Sequence, residues 1–399
     1  MRSLTVGLAA LCQAALPYLS AAGLMIGASV PAVAASGPIV IGGTVSQTGA
    51  LAEDAEFQVK GMQLAVADAN AHGGWLGRQL QLKIYDDKSD AGSAVRLYTR
   101  LITDDHVDLL VGPYSSGVTQ AVAPLINKYS MATIEPGASM PDIYVKGNKW
   151  NIQGTASSFT YLDELLPLAK AHGAHTVAVL ALKSAFTLDC AKARTEQAKK
   201  LGMQIVYQTT YSLPSPDFAA IGLAIKNAHP DVVLGCTYFP DAVGIVKALH
   251  DQGFAPKFLG ATVGSIEPAF GTALGPLVNG VFGNTSWWPN FKTAGSADVV
   301  ARYKAMFKQD PDYHAITGYA AIQALGDAVK ATGSLDQAKL REWFLHQSAT
   351  TVLGTFKVNE DGLSTGYGQF LVQWQDGQMK LITPADMAEA KVLVPYPGK

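Results

Sequence analysis

Cysteine is scarce in this 399-residue chain, which has only Cys12, Cys190 and Cys236. Three are too few for a disulfide scaffold, and no C-x-x-C pair is there to hold zinc. Charge is sparse too. Asp, Glu, Lys and Arg make up 16% of the residues, 30 basic against 32 acidic, for a net charge of −2. With no polybasic run, a nucleic-acid surface is not expected. The common catalytic signatures are missing: there is no G-x-S-x-G, H-E-x-x-H, G-x-x-x-x-G-K-[ST] or G-x-G-x-x-G. The eight histidines are scattered without metal-ligand spacing, so most are expected on the surface, and no metal or cofactor is expected. Asp86, Asp87 and Asp90 form a short acidic cluster. It fits a cap for the helix from Ala91 better than a calcium loop. Without a nucleophile–base pair or a metal site, the chain is not expected to be an enzyme.

What is present begins with a leader. Arg2 is the only early charge, apolar and small residues run from Leu4 to Val30, and Ala32-Val33-Ala34 follows. Residues 1–35 therefore read as an export signal cleaved near Ala34 or Ala35, which makes the mature protein an exported one. The alternative is an uncleaved membrane anchor. No later stretch approaches about 20 uninterrupted apolar residues. Roughly 365 residues remain after cleavage, enough for two domains of about 150–200 residues each. A composition of 48% hydrophobic residues rules out a disordered chain.

Two hydrophobic periods alternate along the chain. Ile39–Val45, Leu80–Tyr85, Asp108–Val111 and Ala132–Ile134 are short β-rich runs. Between them, Ala94, Val95, Tyr98, Leu101 and Ile102 form one helical stripe, and Val118, Ala121, Val122, Leu125 and Tyr129 another. Near-continuous apolar strands between amphipathic helices indicate parallel βαβ units. The alternation restarts after a helical stripe at Leu162–Ala169. Strands are expected at Thr176–Leu182, Gln204–Gln208, Asp231–Leu234 and Lys257–Gly260. The fold class is thus α/β, with two rounds of about four βα units. Helices near 297–308, 315–331 and 336–346 follow and fit either sheet. A β-rich tail, Gly368–Trp374 and Met379–Ile382, turns at Asp376-Gly377. Candidate crossings between domains are Gln153–Ser157, Asn284–Trp288 and Asp361–Gly366.

Open α/β sheets bind ligands beyond the carboxyl ends of their strands. In the first round those ends carry Tyr114-Ser115-Ser116-Gly117, opening a helix, and Gly137-Ala138-Ser139. Hydroxyls and free N–H groups there would seat a carboxylate, or Ser115 and Ser116 would simply cap the helix. In the second round the corresponding ends carry Phe186, Tyr238 and Thr262. Phe186 and Tyr238 would wall a pocket or pack between domains, and so would Trp287 and Trp288 at the proposed crossing.

Several segments taken together carry a family resemblance. Ile41–Gly49, Gly61–Gly74, Tyr85-Asp86-Asp87, the Gly112–Gln120 turn and Tyr319-Ala320-Ala321 resemble the branched-chain amino-acid-binding (Leu/Ile/Val) family, the type I periplasmic solute receptors of ABC importers. The resemblance covers essentially the whole mature chain. It implies two Rossmann-like parallel-sheet domains joined by a three-strand hinge, with the 297–346 helices on the first domain. The implied lobes are 36–154 plus 286–360 and 155–285 plus 361–399. It also implies a monomer that closes over a small-molecule carboxylate and delivers it to an ABC permease in the inner membrane; some relatives are instead sensors for a signalling partner. Carried over by position, the carboxylate contacts are Ser116, Gly137 and Ser139. The aromatic wall is Phe186 and Tyr238, with Tyr114 beside it.

The chain departs from that family at three places. Amino-acid receptors have an acid for the ligand ammonium where this chain has Thr262, although Glu267, Asp54 and Asp241 are available substitutes. A tyrosine common in the pocket is Phe186 here. The cysteines of a disulfide seen in many relatives are Ser89 and Ser115 here, while Cys190 and Cys236 would pair only if their strand ends lie close, which is not expected. The neutral Thr262 favours an aromatic or apolar organic acid as ligand, with aliphatic amino acids as the alternative, since a buried ammonium without a counter-charge is costly.

Overall fold

The computed structural model describes residues 37–145, 147–213 and 216–398. The expected leader and its cleavage site lie outside the described residues. The first round runs β1 (Ile39–Val45), α1 (Ala52–Ala71), β2 (Leu80–Asp86), α2 (Ala91–Thr103), β3 (Leu109–Val111), α3 (Ser116–Tyr129), β4 (Thr133–Glu135), α4 (Asp142–Val145) and β5 (Asn151–Gln153). Its strands pair in parallel in the order β2-β1-β3-β4-β5. β1 and β3 are almost wholly buried, as strands covered on both faces must be. The α2 stripe is buried at Ala94, Tyr98 and Leu101 as the periodicity predicts. In α3 the buried line is Val118, Val122 and Ile126, while Ala121 and Tyr129 are exposed. The stripe is therefore rotated by about one residue from the sequence reading, and it follows the i, i+4, i+8 row.

Asp90 caps α2 by accepting a hydrogen bond from the Ser93 amide. Asp87 accepts from the Thr44 and Ser46 hydroxyls, and Asp86 from the Gln47, Thr48 and Lys88 amides. This acidic cluster is used up locally, in line with the cap reading.

The second round repeats the first. It runs α5 (Leu165–Ala171), β6 (Thr176–Leu182), α6 (Ala185–Lys200), β7 (Gln204–Tyr211), α7 (Phe218–Ala228), β8 (Val232–Cys236), α8 (Phe239–Asp251), β9 (Phe258–Ala261), α9 (Pro268–Leu274) and β10 (Val281–Thr285). Its parallel order, β7-β6-β8-β9-β10, reproduces the first sheet strand for strand. The chain continues through α10 (Ser296–Phe307), α11 (Tyr313–Thr332), α12 (Gln337–His346) and the small hairpin β11 (Ala349–Thr351) with β12 (Gly354–Phe356). It ends in β13 (Phe370–Gln375) and β14 (Gln378–Leu381), antiparallel additions beyond β10. Asp376 and Gly377 both have positive φ, 51° and 72°, which is the backbone a two-residue hairpin of this twist requires.

Periodicity left the placement of α10–α12 open. The structure settles it: α11 packs along α1, and α10 also touches α1. At this crossing a methyl group on Gly61 would overlap the Ala315 carbonyl, and one on Gly318 would overlap the Gln58 backbone. The two helices approach closely because both carry glycine there. The chain thus passes between the two lobes three times, through 154–164, 286–295 and 357–369. The molecule is a two-lobed α/β fold with three connecting segments.

Candidate functional site

In a 2-1-3-4-5 sheet the winding reverses between the first and third strands, and loops at the carboxyl ends beside that point leave a crevice. Both lobes turn such an end toward the same narrow cavity. From the first lobe come Tyr114 and Ser116, after β3, and Pro136, Gly137 and Ser139, after β4. From the second come Phe186, after β6, Tyr238, after β8, and Val263, after β9. Thr155 and Tyr161 lie on the first connecting segment, and Tyr313 and His314 open α11.

Ser116 ties the two first-lobe turns together. Its hydroxyl oxygen accepts hydrogen bonds from the Ser139 amide (3.1 Å) and the Met140 amide (3.2 Å). Both are received at oxygen, so the hydroxyl hydrogen stays available to an acceptor. Ser116 and Gly117 open α3, where amides have no partner within the helix. Hydroxyl donors and helix-end amides at one place favour an anion.

Opposite them stands an aromatic wall. Tyr161 meets Phe186 edge-on at 4.9 Å between centroids, and Phe186 meets Tyr238 at 5.7 Å. Burial pushes the hydroxyls of Tyr114, Tyr161 and Tyr238 above the ordinary tyrosine value, so all three are neutral donors.

At one end of the cavity, His314 backs onto a cluster of buried acids. His314 is wholly enclosed; its Nδ1 lies 2.6 Å from Asp312 Oδ2 and 3.4 Å from Glu267 Oε1, and its Nε2 lies 3.2 Å from the Tyr114 hydroxyl. Burial pushes the imidazole pKa down, but Asp312 and then Glu267 outweigh it and raise the value to about 10. Glu267 belongs to the second lobe, so this contact bridges the lobes. Burial lifts the Glu267 carboxyl well above its usual range, and lifts Asp54, in α1, to about 7 against the pull of His314. Both oxygens of Asp54 and of Glu267 lack a hydrogen-bond partner, as does the side-chain amide of Gln58. Glu267, Asp312 and His314 bring one possible ligand atom each within 4.8 Å of the others. Here the imidazole stands between the two carboxyls, 2.6 Å from Asp312 and 3.4 Å from Glu267.

Six residues picked out in the sequence meet at the cavity: Tyr114, Ser116, Gly137, Ser139, Phe186 and Tyr238. Four others sit behind or away from it. Ser115 stands at the N-cap position of α3 without a side-chain capping bond, its hydroxyl facing that of Tyr238. Ala138 packs with Ala123, Ile143 and Tyr144. The Thr262 hydroxyl is spent on the Thr237 backbone, accepting from its N–H (2.7 Å) and donating to its carbonyl (2.9 Å). Trp287 donates from its indole to Ser296 (2.9 Å) and lines a separate, mostly apolar hollow of about 760 Å³ with Trp288 and Met379. Gly137 has a packing reason for lacking a side chain, since a methyl group there would overlap Gln58 and the Tyr114 ring.

Sequence reasoning missed Thr155, Tyr161, Tyr313 and His314. The available signal was Asp312-Tyr313-His314, in which an N-cap aspartate opens a long helix two residues before a histidine. His314 is buried, unlike the surface position expected for most histidines.

The lobes, their repeated sheets and the interlobe cavity define a bilobal ligand receptor. Residues 38–379 match the periplasmic binding protein family, and the chain belongs to it. The chain is 27% identical over 347 residues to an amino acid binding protein of Pseudomonas aeruginosa, covering 85% of this chain and 90% of that protein. It is 26% identical to Leu/Ile/Val-binding protein homolog 1 of Brucella suis, covering 80% and 85%. Among solved structures, the branched-chain amino acid transporter substrate-binding protein LivJ of Streptococcus pneumoniae, in complex with isoleucine, has a TM-score of 0.78 at 22% identity, covering 90% and 100%. A solute-binding protein of an ABC transporter from R. palustris, in complex with benzoate, has a TM-score of 0.76 at 22% identity, covering 89% and 98%. Among the described residues no helix is long and apolar enough to cross a membrane.

Proposed function

We propose that this protein is the substrate-binding component of an ABC importer and captures one small carboxylate between its lobes. The observation that carries this is the joint placement of Ser116, Ser139 and the start of α3 against the Tyr161–Phe186–Tyr238 wall, in a cavity shared by both lobes. The carboxylate sits on the Ser116 and Ser139 turns, and the wall covers the rest of the ligand. The lobes that close are 36–154 plus 286–360 and 155–285 plus 361–399, moving about the three connecting segments. The protein is exported by a leader removed near Ala34 or Ala35, works as a monomer, meets a permease of the inner membrane and releases its ligand unchanged.

The wall, with Phe186 in it, favours an aromatic or apolar acid, and a solved relative holds benzoate. A second reading, an aliphatic amino acid, is favoured by the buried carboxyl of Asp54, whose two oxygens have no hydrogen-bond partner, with Glu267 beside His314 as a second acid; either would answer an ammonium, and another solved relative holds isoleucine. A thermal-shift screen separates the two. A ligand at ~100 times its dissociation constant adds about 2.7 kcal/mol of stability. Benzoate-like acids should raise the melting temperature of the wild type and of D54N and E267Q alike. Stabilisation by leucine or isoleucine alone, lost in D54N or E267Q, selects the amino acid. No response to any small carboxylate contradicts the proposal.

A further inference from the structure

Cys190 lies in α6, one turn after Phe186. Cys236 is the last residue of β8, two before Tyr238. Both are wholly buried, and their sulfur atoms stand 2.8 Å apart. That is closer than two unbonded sulfurs ordinarily come, and within about 0.8 Å of the ~2.05 Å of a disulfide. The two side chains, one on a helix and one on a strand end, already point at each other. Both thiols sit immediately behind the aromatic wall, whose Phe186 and Tyr238 rings are in contact.

We propose that Cys190 and Cys236 form an intramolecular disulfide in the mature protein, fastening α6 to β8 behind the wall of the cavity. The bond forms by exchange with a disulfide oxidant, protein or small molecule. One cysteine thiolate attacks the oxidant and expels a thiol. The second thiolate attacks the resulting mixed disulfide and expels the other. The pair loses two protons and two electrons, and the oxidant disulfide is reduced to two thiols. Exchange takes place on the folding chain, before the pair is enclosed, and an oxidising compartment supports it. The tether joins the backbone carrying Phe186 to the backbone carrying Tyr238, and so fixes the wall before ligand arrives.

The test uses the full protein, unfolded and refolded in a buffer of oxidised and reduced glutathione, beside protein recovered from an exporting host. Each is denatured, alkylated without reductant, digested and analysed by mass spectrometry. The expected result is one cross-linked peptide pair containing Cys190 and Cys236, lighter by two hydrogens than its parts and separated by reductant. Reductant should also lower the melting temperature by several degrees, and C190A/C236A should lose that response. Alkylation of both cysteines in the refolded protein overturns the proposal, as does pairing of either with glutathione or with another chain. The assay needs no carrier ligand, so its outcome is independent of the binding reading above.

Discussion

Ser116 does two jobs with one hydroxyl. Its oxygen receives the Ser139 and Met140 amides, and in the proposed site its hydrogen goes to the ligand carboxylate. Ser116→Ala removes the donor and releases the clamp on the second turn. A hydrogen bond to a charged group contributes about 1.5–3 kcal/mol, so affinity for the acid should fall by roughly tenfold or more in a calorimetric titration, with the fold intact by circular dichroism. Affinity within twofold of wild type would remove Ser116 from the site. These serines were legible in the sequence because strand ends in parallel sheets are where ligands bind, and a Ser-Gly turn opening a helix is a local pattern. Tyr161, Tyr313 and His314 were not legible, because they reach the cavity from a connecting segment and from a helix that returns across about 160 residues of chain. Thr262 shows the opposite failure: its place after β9 was read correctly, but its hydroxyl is consumed by the Thr237 backbone.

Among elements, the α1–α11 crossing decides where His314 and Asp54 stand. Both helices are mostly enclosed and carry buried residues all around, including Asp54 and Gln58 in α1 and His314 in α11. Such helices show little amphipathic signal, so periodicity could not assign α11 to a lobe. The regular amphipathic helices α2 and α3 and the long apolar strands β1 and β6 were legible. The short β3 and β4 were legible as apolar runs, whereas β5 (Asn-Ile-Gln), β11 (Ala-Thr-Thr) and β12 (Gly-Thr-Phe) are short and mostly polar or small. The Gly61–Ala315 contact leaves no space for a methyl group. Overpacking of this kind costs about 1–3 kcal/mol. Gly61→Ala should therefore lower the melting temperature by several degrees in a calorimetric scan, and weaken ligand binding by shifting the start of α11. An unchanged melting temperature would show that the helices can separate freely.

For the whole molecule, the buried cluster around His314 makes stability depend on pH. The folded-state pKa of His314, about 10, stands above the unfolded value of 6.5. The protonated imidazole therefore contributes its full stability below pH 6.5, and that contribution is lost as pH rises through about 10. Asp54 acts in the same direction. Raised from 3.8 to about 7, it disfavours the folded state increasingly as pH climbs across that interval, and no further above it. Melting temperature should accordingly decline from pH 6 to pH 10, and His314→Gln should flatten the decline above pH 7. A His314→Gln profile parallel to wild type would place the titration elsewhere. Asp231 gives a contrasting acid-side effect. Partial burial pushes its carboxyl up, but Lys257 and the His175 and Thr176 amides outweigh that and hold it down at about 2. Its support is present above pH 3.8 and is lost as pH falls through about 2. The repeated 2-1-3-4-5 winding, seen in the sequence only as two rounds of alternating periods, is what brings two sheet ends face to face.

The central claim is that a carboxylate, held on the Ser116 and Ser139 turns, is what the closed lobes capture. Titration calorimetry with the best acid from the screen and with its methyl ester tests it directly, because the ester keeps the body of the ligand and removes the anion. The account predicts saturable one-to-one binding of the acid and a loss of at least a hundredfold for the ester. Equal affinity for acid and ester would contradict it.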